Sequence, residues 1–132
     1  MRVRLFESSG LSRAELMQYG WISGDHNPIH FDEKVADGRG LPGLIVHGMF
    51  LYCIVYKAID DFLLEKSPDF RIKELSSKFS GMTFVNDSFR VEVELDESKE
   101  LSDPSARNKV FLLNKDGEAN CIFQAVFIRR NP

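Results

Sequence analysis

The groups best suited to acid–base chemistry are concentrated between residues 23 and 47. This segment contains the chain's three histidines, His26, His30 and His47, together with Asp25, Asn27, Asp32 and Asp37. It also holds four of the nine glycines and two of the five prolines, which predicts a long loop. Loops of this length in small domains are usually functional. A histidine beside a carboxylate can act as a general base or acid near neutral pH.

Asp25 and His30 are the pair whose local geometry the sequence predicts best. Asn27 precedes Pro28, so its backbone must be extended. The side chains of Asp25 and Asn27 can accept hydrogen bonds from nearby main-chain N–H groups in Asx turns. Such turns would direct the Asp25 carboxylate and the His30 imidazole toward one point. The carboxylate would then hold the imidazole in one tautomer and stabilise its charged form.

Two other interpretations of these residues stay open. The pattern Asp-x-Asn-Pro is good turn chemistry in itself, and a single histidine is more often a structural polar residue than a catalyst. A metal site is the second interpretation, because His26 and His30 are four residues apart, as in helical zinc motifs. Pro28 lies between them and would interrupt the helix that such a motif needs. The sequence therefore predicts no metal.

His47 and Gly48 mark the expected start of a helix. The first N–H groups of a helix lack main-chain acceptors and lie at the positive end of its dipole, which makes a natural oxyanion site. Gly48 would let a ligand carbonyl approach the backbone closely. The alternative is that this glycine only makes room at a tight junction between loop and helix. The aromatic and Met-rich residues that follow are predicted to be core, with at most a few lining a ligand pocket.

Two helices are predicted to position these groups. Ser12 and Glu15 form a capping box, which starts a short helix that should run to about Gly20. A long helix should extend from Gly48 to residue 66, where the following Ser67-Pro68 ends it. Up to residue 59 this helix is apolar on nearly every side, so we expect it to be surrounded by the rest of the chain.

The other segments predict strands. Residues 89–95 alternate between apolar and polar types, as a strand with one buried face requires. Asp116-Gly117 separates two apolar runs and favours the positive φ angles of a tight hairpin. The predicted strands are Val3–Phe6, Arg71–Phe84 with a bulge at Ser80-Gly81, Phe89–Leu95, Val110–Leu113 and Ile122–Ile128. One buried helix followed by mostly antiparallel strands predicts an α+β fold in which a sheet wraps around the helix.

Length and composition limit the class of protein. A chain of 132 residues with 43% hydrophobic and 28% charged residues is predicted to form one globular domain, residues 1–132. The net charge is −3 and the basic residues are scattered, so no nucleic-acid partner is expected. Cys53 and Cys121 lie in apolar surroundings, and both are predicted to be reduced core residues. No apolar stretch suits a signal peptide or a membrane span, which predicts a cytoplasmic protein without a membrane partner.

Two blocks of the sequence resemble a known family. Residues 19–30 read YGWISGDHNPIH and are followed, after five residues, by Ala36. This block resembles the hydratase signature of MaoC-like, (R)-specific enoyl-CoA hydratases, and residues 44–49, LIVHGM, resemble the family's next block. The match covers about a quarter of the chain. It implies a hot-dog fold, in which a curled antiparallel sheet wraps a long central helix.

The resemblance also implies residue roles. Asp25 and His30 match the family's catalytic dyad, which binds and activates a water molecule. Gly48 matches the glycine whose N–H polarises the thioester carbonyl, and we place Ser23, Asn27 and His47 with it as candidate oxyanion or substrate-binding residues. The implied reaction is reversible hydration of a 2-enoyl thioester to an (R)-3-hydroxyacyl thioester, without metal or redox cofactor. The implied carrier is coenzyme A or acyl carrier protein, and the implied assembly is a homodimer.

Three alternative functions stay open at this stage. A 3-hydroxyacyl-ACP dehydratase of fatty-acid synthesis would run the same chemistry backwards. A hot-dog thioesterase would usually place an acidic residue on the central helix, and Met49 to Ile59 contains none. A non-catalytic subunit that binds acyl thioesters could retain the loop. Residues 84–87 stand where the family commonly has a Gly-Asp turn, so the preferred acyl length does not carry over.

Overall fold

A computed structural model describes residues 2–131 of the chain. Its five strands form one antiparallel sheet in the order β1-β3-β4-β5-β2. The strands are β1 (Arg2–Ser8), β2 (Phe70–Phe79), β3 (Phe89–Glu94), β4 (Asn108–Asn114) and β5 (Ala119–Arg129). The helices are α1 (Arg13–Ser23), α2 (Glu33–Gly38) and α3 (Gly48–Lys66), with a 3₁₀ turn at Pro28–His30. All five predicted strands and both predicted helices are present.

The long helix α3 buries one stripe against the sheet. Leu51, Val55, Ile59 and Leu63 repeat every four residues, which keeps them on one face, and all four are buried. The facing strands supply the apolar side chains that a period of two predicts, among them Val91, Val93, Val110, Leu112, Phe123 and Phe127. Burying each such side chain contributes roughly 1.5–3 kcal/mol relative to leaving it exposed.

The prediction that α3 is surrounded is wrong. Met49, Tyr56 and Leu64 are exposed, because the sheet is not closed and leaves one side of the helix uncovered. The same opening corrects one cysteine prediction. Cys53 lies on this uncovered side and is exposed, whereas Cys121 is a buried free thiol on β5 as predicted. Burial raises the pKa of the Cys121 thiol to about 11.

The strand β2 is shorter than predicted. It ends at Phe79 rather than Phe84, and its register shift lies between Ile72 and Glu74. The N–H groups of Ser80 and Gly81 both donate to the carbonyl of Asn120, so the chain leaves the sheet where a bulge was expected. Phe84 instead forms an isolated bridge with Ile45, beside the loop that precedes α3.

The hairpin between β4 and β5 lies where it was predicted. Gly117 alone supplies a positive φ, of 81°, whereas Asp116 does not. Its N–H donates to the carbonyl of Asn114, which closes a turn within the four-residue connection between Asn114 and Ala119.

The segment before α3 is more ordered than a plain loop. The predicted capping box is present, with reciprocal hydrogen bonds between Ser12 and Glu15. Helix α1 continues three residues past Gly20 and ends at Ser23, with Gly24 as its C-cap, whose φ of 78° favours glycine. A Cβ on Gly20 would lie 2.5 Å from the ring of Phe31, so this glycine serves packing inside the helix. The short helix α2, capped by the Asp32 side chain, was not predicted.

No helix among residues 2–131 is long and apolar enough to cross a membrane.

Candidate active site

Two side-chain-capped turns build the loop that carries Asp25 and His30. The N–H of Asn27 donates to Asp25 Oδ1 at 3.2 Å, and the N–H of Ile29 donates to Asn27 Oδ1 at 3.2 Å. Both predicted Asx turns are therefore present. Pro28 opens the 3₁₀ turn that ends at His30, because its fixed φ suits the first helical position and its missing N–H is not needed there.

His30 is held in a defined tautomer by the main chain. Its Nδ1 lies 2.6 Å from the carbonyl oxygen of Ile45, which accepts a hydrogen bond and so requires the proton on Nδ1. The lone pair of Nε2 is then free to accept a proton. Nε2 lies 3.9 Å from Asp25 Oδ2. This spacing is too long for a direct hydrogen bond and suits two groups that hold one water molecule between them.

Asp25 and His30 differ in their exposure to solvent. The imidazole is buried, whereas the carboxylate is about half exposed. The sequence prediction that the two groups converge on one point is confirmed by their geometry. The arrangement can supply a base and a second hydrogen-bond acceptor to one small molecule.

Ser23 and Asn27 fix the same loop. Ser23 Oγ accepts a hydrogen bond from the N–H of Asp25 at 3.2 Å, and the Asn27 side chain is used in its Asx turn. Both residues are exposed. Their contact with substrate stays a prediction, whereas the structure shows their hydrogen bonds to the main chain around Asp25.

His47 lies behind His30 and is 1% exposed. The two imidazoles stack with centroids 3.8 Å apart at an interplanar angle of 21°. Burial lowers the pKa of His47, and the neighbouring His30 lowers it further. The Nδ1 atom of His47 has no hydrogen-bond partner within residues 2–131, which costs roughly 1–3 kcal/mol for a buried polar group.

The structure brings together a different set of potential metal ligands from the one considered in the sequence. Asp25, His30 and His47 each offer one ligand atom, and these atoms lie within 4.8 Å of one another. His26 is not part of this group and instead packs edge-on against Trp21. The expectation that no metal is required stays a prediction.

Gly48 is the first residue of α3, as predicted. Within residues 2–131 no acceptor is present for its N–H or for that of Met49, so both belong to the unpaired first turn of the helix. A Cβ at Gly48 would lie 3.3 Å from the Phe79 ring. This glycine therefore makes room for Phe79, and the free N–H remains able to bind a carbonyl oxygen.

Three residues of the site were not singled out from the sequence. Tyr19 stacks on Phe50 at 4.7 Å and packs against His47, and its pKa is raised by burial, by Cys53 and by Asp25. Ile45 contributes only its carbonyl, which no side-chain pattern signals. Phe79 reaches Gly48 from a strand 31 positions later in the sequence, so only the fold could place it.

The site is bordered by exposed apolar side chains. Trp21 and Ile22, which are 79% and 86% exposed, precede the Asp25 loop at the end of α1. Met49 follows Gly48, Phe79 contacts Gly48, and Met82 precedes Thr83, whose carbonyl accepts from Val46. We call these five residues, Trp21, Ile22, Met49, Phe79 and Met82, the apolar rim. Exposed apolar groups beside a polar site are candidates for a binding surface.

The fold and the site define a hot-dog protein with an aspartate and a histidine converging at the start of its central helix. The family model described as "MaoC like domain" matches residues 2–111. The chain belongs to this family, as the resemblance of residues 19–49 predicted.

Curated relatives resemble this chain over part of its length. It is 36% identical over 76 residues to the fatty acid synthase beta subunit TOXC of Cochliobolus carbonum, which is 58% of this chain and 4% of that protein. It is 32% identical over 72 residues to the enoyl-CoA hydratase ChsH3 of Mycobacterium tuberculosis, which is 54% of this chain and 25% of that protein. The matched segments thus span a quarter or less of these relatives.

Solved structures share the fold along nearly the whole chain. An (R)-hydratase from A. caviae involved in PHA biosynthesis superposes with a TM-score of 0.75 and is 23% identical. The match covers 98% of this chain and 95% of that one. The predicted hot-dog fold is confirmed, with the difference that its sheet is open.

Proposed function

We propose that the protein is a hydro-lyase that adds water to 2-enoyl thioesters and yields (R)-3-hydroxyacyl thioesters. The observation that carries this proposal is the convergence of His30 Nε2 and Asp25 Oδ2 at 3.9 Å, with the His30 proton held on Nδ1. Membership of the MaoC-like family supports hydratase or dehydratase chemistry. The (R) configuration rests on the resemblance of the signature block.

Water activation follows from the tautomer of His30. Nε2 takes a proton from the water held between His30 and Asp25 as the water oxygen bonds to C3 of the enoyl group. The π electrons move toward the thioester oxygen, and the imidazolium then returns a proton to C2 on the same face. The Ile45 carbonyl stabilises that imidazolium through the Nδ1–H, and the Asp25 carboxylate holds the second hydrogen of the water.

Enolate charge would be stabilised at the start of α3. The unpaired N–H of Gly48 lies at the positive end of the helix dipole and would donate to the thioester oxygen. Removal of a comparable oxyanion donor elsewhere costs about 2.7–4 kcal/mol of transition-state stabilisation. Coenzyme A or acyl carrier protein would serve as the carrier of the substrate, and no metal or redox cofactor enters this scheme.

The reverse reaction is the second candidate function. The resemblance to a fatty acid synthase beta subunit favours dehydration of 3-hydroxyacyl thioesters on acyl carrier protein. The same residues perform both directions, so the substrate supplied and the carrier distinguish them. A non-catalytic thioester-binding role is disfavoured, because Asp25 and His30 are both intact and converge.

Crotonyl thioesters test the proposal directly. Hydration of crotonyl-CoA and crotonyl-ACP is followed by the loss of enoyl absorbance, and dehydration of the two 3-hydroxybutyryl thioesters by its gain. We expect activity with at least one carrier. Binding of both carriers without turnover in either direction would contradict the proposal and favour the non-catalytic subunit.

We also propose that the protein works as a homodimer. Strand β2 ends the sheet and pairs only with β5, and its residues 76–79 are exposed. An unpaired edge invites association with another strand. The apolar rim adjoins the end of β2 at Phe79, so a second copy placed there would cover rim residues and wall the site. Light scattering should give twice the mass of one chain. A fully active monomer at micromolar concentration would contradict this proposal.

A further inference from the structure

We propose that His47 is a positioning residue for the dyad, holding the His30 ring and the Asp25 main chain at a fixed spacing without touching the substrate. This inference rests on the proposed function for its kinetic consequence. Its structural consequence, restraint of the His30 ring, is measurable without any substrate.

The stacking contact restrains His30. The centroids of the two imidazoles lie 3.8 Å apart, so rotation of His30 about its side-chain bonds would drive its ring into His47. His47 is itself enclosed by Tyr19 and Phe31, at centroid distances of 4.7 and 5.5 Å. A ring that is packed on several sides and belongs to the N-cap residue of α3 is a rigid wall for the base.

A polar contact restrains Asp25. Nε2 of His47 lies 3.4 Å from the Asp25 carbonyl oxygen, which requires the His47 proton on Nε2. One buried side chain thus contacts both members of the dyad, through its face for His30 and through its edge for Asp25. The spacing of 3.9 Å between the two reacting groups depends on these two contacts.

The unpaired Nδ1 indicates that the imidazole is retained for more than packing. With the proton on Nε2, Nδ1 is a buried acceptor without a partner within residues 2–131. A phenyl ring would also stack on His30 and would leave no polar atom unpaired, but it would lose the contact with Asp25. The unpaired Nδ1 of His47 lowers the stability of the fold relative to a phenyl ring at this position. The contact that the imidazole makes and a phenyl ring could not make is the one with Asp25.

Neutrality of His47 agrees with this role. Burial lowers its pKa and the adjacent His30 lowers it further, although the Asp25 carbonyl and carboxylate act in the opposite direction. A neutral His47 leaves His30 as the group that receives the proton from water.

Two substitutions separate the contacts. His47→Phe keeps the stack and loses the Asp25 contact, whereas His47→Gln can keep the donor to Asp25 and loses the stack. His26→Gln is the matched control, because His26 is an exposed histidine in the same loop that contacts Trp21 rather than the dyad. We expect each His47 variant to lower kcat about 10- to 100-fold with KM nearly unchanged, since misplacement of a reacting group by about 1 Å has that cost.

Nitrogen-15 NMR of the histidine side chains gives the substrate-free readout. The Nδ1–H of His30, which donates to Ile45, should exchange slowly with water in the wild type and in His26→Gln. It should exchange at least several-fold faster in His47→Gln, where the ring is no longer stacked. Proton exchange at His30 can be measured even if no thioester is turned over. The measurement therefore distinguishes failure of the positioning role of His47 from failure of the proposed hydratase activity.

Thermal unfolding excludes a purely structural role. We expect His47→Phe to retain the wild-type Tm or to raise it while kcat falls. If His47→Phe fails to fold, His47→Leu, which is smaller and lacks both the ring and a polar atom, removes the two contacts together. Unchanged kcat in both His47→Phe and His47→Gln, with unchanged His30 proton exchange in His47→Gln, would overturn the proposal. A kcat loss that merely parallels a fall in Tm would overturn it as well.

Discussion

The loop that holds the dyad and the apolar rim around it differ in how many of their groups are bonded or buried within one chain. In the loop, the Asp25 N–H is capped by Ser23, the Asn27 N–H by Asp25, and His30 is bonded to Ile45. On the rim, Trp21 and Ile22 are more than three-quarters exposed. The difference teaches that one chain preorganises the proposed acid–base chemistry, whereas its exposed apolar rim remains available to a second surface.

The largest effect is expected from the loop itself. Asp25→Asn and His30→Ala should each lower kcat by about 10²–10⁴-fold, because that is the usual contribution of a general acid–base group. Asn retains an oxygen that can accept the Asn27 N–H, so the turn and the Tm should persist.

Steady-state kinetics and thermal unfolding check this prediction together. Asp37→Asn and His26→Ala are the matched controls, since both residues are exposed and lie in the same segment. Equal losses of activity and stability in the Asp25 and His30 variants would assign these residues to turn structure alone.

A smaller effect is expected at the point where loop and rim meet. Gly48→Ala keeps the N–H and adds a methyl group where the thioester carbonyl should approach, and the methyl also meets Phe79 at 3.3 Å. We expect kcat to fall by about 10-fold or more while α3 survives by circular dichroism.

The double variant Gly48→Ala/Phe79→Leu separates the two contacts of the methyl group. If the carbonyl approach is what matters, the double variant will stay well below Phe79→Leu, because relieving the clash with the ring leaves the methyl group in the path of the carbonyl. Recovery to the level of Phe79→Leu would show that Gly48 serves only to accommodate Phe79.

A substitution on the apolar rim is expected to weaken dimer formation more than it affects the chemistry at Asp25 and His30. Ile22→Asp places a charge on an 86% exposed side chain, so the fold of each chain should be unaffected. If the rim is covered in a dimer, the charge should weaken association by about 10-fold or more, as a desolvated unpaired charge does. Sedimentation at several concentrations measures this, with Leu64→Asp at the far end of α3 as control. Equal dimer affinity in wild type and Ile22→Asp would leave the rim outside the interface.

No effect at all is expected from removal of metals. Asp25, His30 and His47 converge closely enough to be candidate ligands, but the proposed chemistry uses His30 Nε2 as a base, which a bound metal would occupy. Dialysis against a chelator should leave kcat and KM unchanged. If a chelator abolished activity and zinc restored it, a metal centre rather than the Asp25–His30 pair would activate the water.

Local chemistry explains what the sequence could predict. The Asx turns at Asp25 and Asn27 depend on residues two positions apart, and the ends of α3 depend on Gly48 and Ser67-Pro68. Each of these signals acts within a few residues. These signals favour the approach of Asp25 to His30, although the sequence left a purely structural turn and a metal site open beside it.

Distant packing explains what the sequence could not predict. Cys53 looks like a core residue because its neighbours are apolar, yet the open sheet leaves its side of α3 uncovered. Gly20 was expected to end α1, but it lies inside the helix to admit the Phe31 ring. The tautomer of His30 depends on the Ile45 carbonyl, and the space at Gly48 on Phe79, so both required the fold.

Stereochemistry of hydration in deuterated water tests the central claim most directly. Crotonyl thioester is converted in D₂O by the wild type and by Asp25→Asn, and the product is examined at both carbons. If His30 and Asp25 hold one water and His30 returns the proton, the wild type yields (R)-3-hydroxybutyryl thioester with a single deuterium at C2 on the same face as the new hydroxyl. Asp25→Asn should form it at least 100-fold more slowly. An (S) or racemic product, or hydration undiminished in Asp25→Asn, would contradict the account.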